Sequence, residues 1–140
     1  MIAIIRIKGD VGLKKEIRNT YERLRLKRKY ACVVVPENKI NLGMIKRLRD
    51  FVAFGKINDE TFEKLIVARG KALDKTKKID AKKAVTELSS GKKYEEVNLK
   101  SFFRLHPARG GMDTKKHFGV HKGVLGDNKE KINELIRRML

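Results

Sequence analysis

The three histidines are the residues whose types and spacing come nearest to a chemical site. His117 and His121 are separated by three residues, a spacing that occurs in zinc sites. His106, Asp113 or Cys32 would have to complete the ligand set. Glycines around the pair disfavour a rigid helical presentation, no paired cysteine motif exists, and the neighbouring lysines repel a dication. We therefore predict no metal site and no cofactor, and the histidines either contact nucleotides or are simply solvated.

Covalent and acid–base catalysis find little support in the sequence. The serines lie in no nucleophile-elbow motif and have no histidine nearby in sequence. Acidic residues alternate with basic ones along the predicted helices, which is typical of solvated faces. The single cysteine, Cys32, lies within "YACVVV", a pattern that predicts a buried strand and an inert thiol. We predict no catalytic residue.

The stretch "FFRLHPARGGMDTKKHFGVHKGVLGDNK", which begins at Phe102, is basic and rich in glycine. "ARGG" (108–111) lacks the spacing of a Walker motif, and "GVLG" (123–126) matches the short GXXG motif of KH domains without their flanking helices. The physical use of these glycines is close approach of backbone N–H groups to phosphates. Arg109 can add a forked contact to phosphate oxygens.

Charge narrows the class of partner. The 140 residues carry 35 Lys and Arg against 17 Asp and Glu, a formal charge of +18. Self-repulsion at this charge favours a polyanionic partner. The sequence contains no apolar run of about 18 residues, so it predicts no membrane-spanning helix. Aromatic residues make up 6% of the chain and tryptophan is absent, so a binder of folded RNA that contacts the backbone fits better than a base-stacking platform.

Local patterns predict the elements that position these cations. Strands are predicted at 3–9 and 31–35, and helices begin near Leu13 and Asn38 or Asn41, so the chain opens as β-α-β-α. A short apolar stretch, 51–57, is broken by Gly55. Further predicted segments are a helix capped by Asn58 or Asp59, a lysine-rich loop at 70–80, a helix at 81–88, a strand near 99–105, a loop at 106–127 and a helix at 129–139.

Together these segments predict one α+β domain spanning 1–140. Its core comprises 1–55 and the strand near 99–105, and it forms a small three-stranded sheet with helices on one face. The segment 56–98 is a helical insertion. We expect the 106–127 loop to be mobile without a partner and to become ordered on binding.

Two long strings carry a family resemblance. "VVPENKINLGMIKRLRDFVAFG" and "FRLHPARGGMDTKKHFGVHKGVLG" resemble the archaeal-type large-subunit ribosomal proteins of the family numbered thirty, related to the eukaryotic family numbered seven. The resemblance spans essentially the whole chain. It implies a β-α-β-α-β core related to the ferredoxin-like fold. It also implies a non-catalytic, monomeric component of the cytoplasmic ribosome that binds the large rRNA near the 5S rRNA, beside other ribosomal proteins.

The resemblance and the basic clusters together define the candidate RNA-binding residues. The matching string contributes Arg104, His106, Arg109, Gly110, Gly111, Lys116 and His117, and the basic clusters contribute Lys14, Arg18, Arg25, Lys27, Arg28, Lys29, Lys46, Arg47, Arg49, Lys115 and Lys122. Two alternatives stay open at this point. One is a freestanding RNA-binding regulator, and the other is a small RNA-processing enzyme that uses the loop histidines.

Overall fold

Six strands and five α-helices succeed one another in the computed structural model, which describes residues 1–140. The strands are β1 (Ile2–Arg6), β2 (Ala31–Val35), β3 (Val52–Lys56), β4 (Phe103–Arg104), β5 (Asp113–His117) and β6 (Gly123–Asp127). The helices are α1 (Lys15–Arg23), α2 (Lys39–Arg47), α3 (Asp59–Arg69), α4 (Ala81–Ser89) and α5 (Ile132–Met139), the last preceded by a 3₁₀ turn at Lys129–Lys131.

All six strands form one mixed sheet in the order β4-β2-β1-β3-β6-β5. β1 lies antiparallel to both β2 and β3, with Ile4 opposite Val33 on one side and Phe54 on the other. β6 joins β3 in parallel, and β5 lies outside it. The α+β class and its relation to the ferredoxin-like fold are confirmed, but the predicted three-stranded sheet was too small.

Helices cover both faces of the sheet, whereas we predicted helices on one face. Successive residues of a strand point to opposite faces, and all five residues of β1 are buried. Ile4 packs with Tyr21 of α1 and Ile45 of α2, and Ile5 packs with the opposite cluster, which includes Phe62 of α3. The apolar, non-alternating pattern of β1 is what a strand covered on both sides requires.

Gly55, which we read as interrupting the 51–57 stretch, lies inside β3. A Cβ on this residue would stand 2.2 Å from the carbonyl oxygen of Lys129 and 3.0 Å from Cβ of Ile132. The glycine therefore lets the start of α5 press against the strand. Val52 begins β3, since α2 ends at Arg47.

Two strands, β5 and β6, lie within the segment expected to be a 106–127 loop. β5 contains one threonine but no large apolar residue, and glycines begin β6 and interrupt it, so neither shows the pattern of a strand. Tertiary packing supplies what propensity lacks, since Val124 and Leu125 are buried in the core. The predicted strand at 99–105 shortens to β4, which pairs with β2 only at Ala31 and Cys32.

The helices agree better with the local signals. Asn58 caps α3 by accepting a 2.9 Å hydrogen bond from the N–H of Thr61, and Asp80 caps α4 through the N–H of Lys83. The predicted closing helix begins at Ile132, after the 3₁₀ turn. None of the helices combines the length and apolar content needed to cross a bilayer.

Candidate nucleic-acid interface

The loop between α1 and β2, residues 24–30, carries four of the predicted cations and is shaped by a buried arginine. Arg6 of β1 is only 2% exposed. Its guanidinium donates to the carbonyl oxygens of Leu26 at 2.9 Å and Lys27 at 3.0 Å, and it lies 4.1 Å from the ring centroid of Tyr21. These contacts satisfy loop carbonyls from inside the molecule, so Arg25, Lys27, Arg28 and Lys29 remain exposed on a fixed backbone.

Asp10 completes the environment of Arg6. The carboxylate lies 2.5 Å from Nη2 of Arg6, and this hydrogen bond is the main reason why the pKa of Asp10 is lowered below 3.8. Burial raises the pKa of Tyr21 to about 12, so its phenol stays neutral beneath the guanidinium. The Nε of Arg6 also donates to the carbonyl of Lys8 at 3.0 Å, so the buried charge is held by one carboxylate, three carbonyls and a ring.

A groove of about 650 Å³ opens between this loop and the segment that leads into β4. We call it the basic groove. Five cations and two carboxylates line it, and we call these charged residues its rim; the other lining residues, most of them apolar, we call its floor. The rim comprises Arg25, Lys27, Arg28, Lys100, Arg104, Glu22 and Glu95, and the floor comprises Ala31, Leu73, Leu99, Ser101 and Phe102.

The cations of the basic groove have no carboxylate partner within salt-bridge distance. Arg25 instead donates to the hydroxyl of Ser101 at 2.6 Å, which links the two walls. The guanidinium of Arg104 lies 5.8 Å from the ring centroid of Phe102. Unpaired guanidinium and ammonium groups on a fixed backbone are suited to phosphate oxygens.

The basic surface continues along α1. A second depression of about 430 Å³ shares Glu22 and Lys27 with the basic groove and adds Arg18. Lys14 is at the N-cap of the same helix and is exposed. Lys29 lies 5.0 Å from the ring centroid of Tyr30, at the end of the loop. The structure therefore brings Arg18 and Lys27 to the surface that adjoins Arg104.

The predicted residues of the "HPARGG" turn lie elsewhere, against the end of α5. The N–H of His106 donates to the carbonyl of Met139, and the N–H of Arg109 donates to the carbonyl of Arg138, each at 2.9 Å. Arg138 donates back to the carbonyls of Arg109 and Gly111. Gly110 and Gly111 have φ angles of 79° and 76°, which L-residues rarely adopt. These glycines hold a tight turn, and the side chains of His106 and Arg109 stay exposed.

A third group lies at the opposite edge of the sheet, on β5 and the turn that follows it. Here the predicted cations make contacts within the protein. Lys116 lies 3.8 Å from Asp113, His117 lies 3.2 Å from Asp50, and Lys122 donates to the carbonyl of Gly110 at 3.3 Å. Hydrogen bonding from the N–H of Lys115 lowers the pKa of Asp113, so the acid stays ionised beside its cations.

The basic end of α2 adjoins this third group. Lys46 and Arg47 lie in the last turn of the helix, and Arg49 follows it; all three are exposed. The backbone of Arg49 approaches Gly126 of β6, and the next residue, Asp50, is the partner of His117. The predicted residues therefore divide into two basic surfaces, one at each edge of the sheet, with the "HPARGG" turn as a separate site.

The features considered for catalysis and metal binding do not come together. Cys32 is buried in β2, and burial raises the pKa of its thiol to about 12. No group of three or more His, Cys, Asp or Glu side chains is arranged to hold a metal ion. His106 lies against the end of α5, whereas His117 pairs with Asp50 at the β5 edge.

Sequence reasoning missed four residues of these surfaces: Arg6, Lys100, Phe102 and Arg138. Arg6 had a usable signal, because an arginine that interrupts an isoleucine-rich strand four residues before an acid suggests a buried ion pair. Lys100 and Phe102 belong to "LKSFFRL", the segment predicted as a strand. Nothing local distinguishes them, since their role depends on the α1–β2 loop lying opposite.

Comparison with known proteins shows the family. Residues 2–52, from β1 to the start of β3, match the family described as Ribosomal protein L30p/L7e. The Large ribosomal subunit protein uL30 of Methanococcus vannielii is 38% identical, with 99% of this chain and 98% of the relative aligned. The uL30 proteins of Desulfurococcus amylolyticus and Archaeoglobus fulgidus are 38% and 35% identical, and the alignments cover at least 98% of each partner. This protein therefore belongs to the ribosomal protein L30p/L7e family.

Proposed function

We propose that this chain is a structural component of the large ribosomal subunit that binds the large rRNA near the 5S rRNA. The observation that carries the proposal is the basic groove, in which five cations, four of them exposed, have no carboxylate partner and three belong to an internally braced loop. Family membership gives the assembly, and the groove gives a surface with the chemistry to bind a polyanion.

Binding proceeds through phosphates. Arg25 and Arg104 contribute planar guanidinium groups from opposite walls of the groove, and Lys27 and Arg28 add charge along the loop. Each neutralised phosphate releases condensed counterions, so affinity falls steeply with salt. Specificity comes from the shape of the folded RNA, because rigid cations fit one arrangement of phosphates and 2′-hydroxyls.

The role is non-catalytic and needs no cofactor. The chain binds as a monomer, and its free surfaces are available to neighbouring ribosomal proteins. The thiol that a cysteine nucleophile would need is buried, with its pKa raised to about 12. Of the three histidines, His117 lies beside an acid, Asp50, but no third His, Cys, Asp or Glu side chain joins this pair in a metal-binding arrangement.

Titration of large-subunit rRNA with the full chain over a series of salt concentrations tests the proposal. We expect Arg25→Ala with Arg104→Ala to weaken binding and to reduce the slope of log affinity against log salt by about two. Lys64→Ala with Arg137→Ala is the matched control, because both cations already pair with Glu60 and the change in net charge is the same. Equal effects of the two double variants would contradict the assignment of the groove.

Adding 5S rRNA tests the finer part of the proposal. Chemical footprinting of both RNAs should show protection of 5S nucleotides, or of large-rRNA nucleotides that contact them, only when all three components are present. Sedimentation of the chain with large subunits through a high-salt wash separates the proposed role from that of a freestanding regulator. Comparable affinity for duplex DNA at moderate salt would favour the regulator.

A further inference from the structure

The floor of the basic groove has a property that phosphate binding does not require. The groove is also lined by Leu73, Leu99 and Phe102; Leu99 is buried, whereas Leu73 is 46% exposed although it is a large apolar residue. Contact with an apolar surface does not stabilise a bound phosphate, and exposure of a leucine side chain to water is unfavourable. An apolar floor within a cationic rim instead matches a ligand that has an apolar ring and an anionic group on the same unit.

The floor is held in place. Asn98 has a φ angle of 58°, and its side chain joins the 70–78 loop, accepting from the N–H of Asp74 at 2.7 Å and donating to the carbonyl of Asp74 at 3.0 Å. The N–H of Leu73 donates to the carbonyl of Asn98 at 3.1 Å, and Ala72 forms a β-bridge with Leu99. The segment that we predicted only as an exposed, lysine-rich loop thus holds Leu73 in the floor of the groove.

The two walls of the groove are fixed as well. Arg25 donates to Ser101 at 2.6 Å, and Arg104 lies over the ring of Phe102. Phe102 is half-buried, because one side of it packs against the core cluster beneath α1 and α2. Aromatic rings and guanidinium planes are the surfaces on which unpaired bases stack in proteins that recognise single-stranded RNA.

The dimensions fit one nucleotide. A groove of about 650 Å³ falls within the range of pockets that take small organic ligands. A nucleotide placed there would set its base on the apolar floor and its phosphates among the rim cations. Because the basic surface continues past Lys27 to Arg18, the strands on either side of that nucleotide would also meet positive charge.

We propose that the basic groove is a pocket for a single unpaired nucleotide of the RNA, with its base against Phe102 and Leu73 and its phosphates at Arg25 and Arg104. The inference rests on the proposed function and deepens it, because it assigns base recognition to one point of a surface that otherwise contacts phosphates. An extended acidic peptide could also meet the rim cations. The continuous cationic surface on the Arg18 side of the groove favours a polynucleotide, which carries charge at every unit.

Dimethyl sulfate probing of large-subunit rRNA, free and bound to the full chain, tests the pocket. We expect at least one unpaired adenine or cytosine to become protected on binding. Phe102→Leu keeps an apolar residue against the core but removes the stacking ring, so it should restore the reactivity of that nucleotide and weaken binding about tenfold. This variant keeps every cation of the groove, so the salt slope of binding should be unchanged.

Phe118→Leu is the matched control. Phe118 is also half-buried and has a lysine, Lys131, 5.9 Å from its ring centroid, but it follows β5 at the far edge of the sheet. This variant should leave the protected nucleotide unchanged. Thermal unfolding of both variants checks that each is folded before probing.

The other outcomes are distinguishable. If Phe102→Leu leaves every rRNA reactivity unchanged while the wild-type salt slope persists, the pocket is wrong and the proposed function stands. If the same variant instead loses a cross-link to another ribosomal protein in reconstituted subunits, the groove binds a peptide and the inference is overturned. If the wild-type chain fails to bind the rRNA at all, the proposed function fails first.

Discussion

The two edges of the sheet both carry predicted cations, but they hold them differently. At the β4 edge, Arg25, Lys27, Arg28 and Arg104 have no acidic partner. At the β5 edge, Lys116 and His117 each pair with an acid, and Lys122 donates to a backbone carbonyl. The same residue types therefore serve as free charge at one edge and partly as structural contacts at the other.

The difference follows from where each edge is braced. Buried Arg6 and the side chain of Asn98 satisfy the backbone behind the basic groove, and of the loop cations Lys27 and Arg28 make no ion pair or side-chain hydrogen bond, whereas Arg25 bonds Ser101. The β5 edge has no such buried cation, and its own surface side chains contribute to holding it. Substituting Lys27 or Arg28 should therefore lower RNA affinity without changing stability. Substituting Lys116 at the β5 edge should lower RNA affinity less, because this cation is already paired with Asp113.

Arg6→Met is expected to have the largest effect. It leaves the carbonyls of Leu26 and Lys27 without their donor and should lower the free energy of unfolding by about 3 kcal/mol. RNA affinity should fall as well, although Arg6 itself is buried, because the loop loses its shape. Urea unfolding and rRNA titration measure the two effects. Arg23→Met, an exposed arginine in the last turn of α1, should change the unfolding free energy little; a similar loss in both variants would refute the bracing role.

Gly123→Ala tests the β5 edge. A Cβ there would stand 2.2 Å from the carbonyl oxygen of His117, so β5 must shift, and we expect a loss of about 2 kcal/mol in unfolding free energy. Gly43→Ala is the control, since Gly43 lies in α2 with open space around it and should gain about 1 kcal/mol. Protection of RNA by the basic groove should survive Gly123→Ala. Loss of that protection would show that the two edges are not independent.

Paired charge removals compare the edges directly. Lys27→Ala with Arg28→Ala should reduce the salt slope of rRNA binding by about two, because both cations are free. Lys115→Ala with Lys116→Ala should reduce it by about one, because Lys116 already pairs with Asp113. Both variants lose the same net charge, so a difference between their salt slopes in filter-binding titrations reports the position of the removed cations. Equal slopes for the two variants would remove the distinction between the edges.

The smallest effect expected is the pH dependence that Asp10 contributes. Its pKa is lowered in the folded protein by the hydrogen bond from Arg6. The resulting stabilisation is present above pH 3.8, the ordinary value, and is lost as the pH falls through the lower folded pKa. The free energy of unfolding, measured between pH 5 and pH 2.5, should therefore fall more steeply with decreasing pH for the wild type than for Asp10→Asn. Parallel curves would mean that the pair with Arg6 is not maintained in solution.

The sequence predicted best what local chemistry determines. Asn58, one of the two predicted caps, caps α3 because its side chain reaches the N–H of Thr61, and the β-α-β-α opening followed from periodicity. The strands β5 and β6 were not predicted because β5 is polar and glycines begin and interrupt β6. Burial of Val124 and Leu125 arises only once β6 lies beside β3. Gly55 was read as a break because the approach of Lys129 cannot be seen in the local pattern.

The candidate site was predicted as a set of residues but not as an arrangement. Exposure of the basic residues followed from their type, and only His117 is half-buried. Which basic residues lie together depends on the order of the strands in the sheet, since β4 lies beside β2 and β5 lies at the opposite edge. Hence Arg104 joins Arg25 across about 80 residues of sequence, whereas Lys115, much nearer to Arg104 in sequence, lies on the other edge.

The position of β6 has a consequence for the order of folding. β6 pairs with β3, and α5 packs on the same strand through Gly55, so segments that are distant from β3 in sequence complete its surroundings. β1, β2 and β3 follow one another closely in sequence and can pair early, but the other side of β3 stays open until β6 and α5 reach it. Because long-range pairing of this kind is slow, we expect the addition of β6 to be a late step of folding.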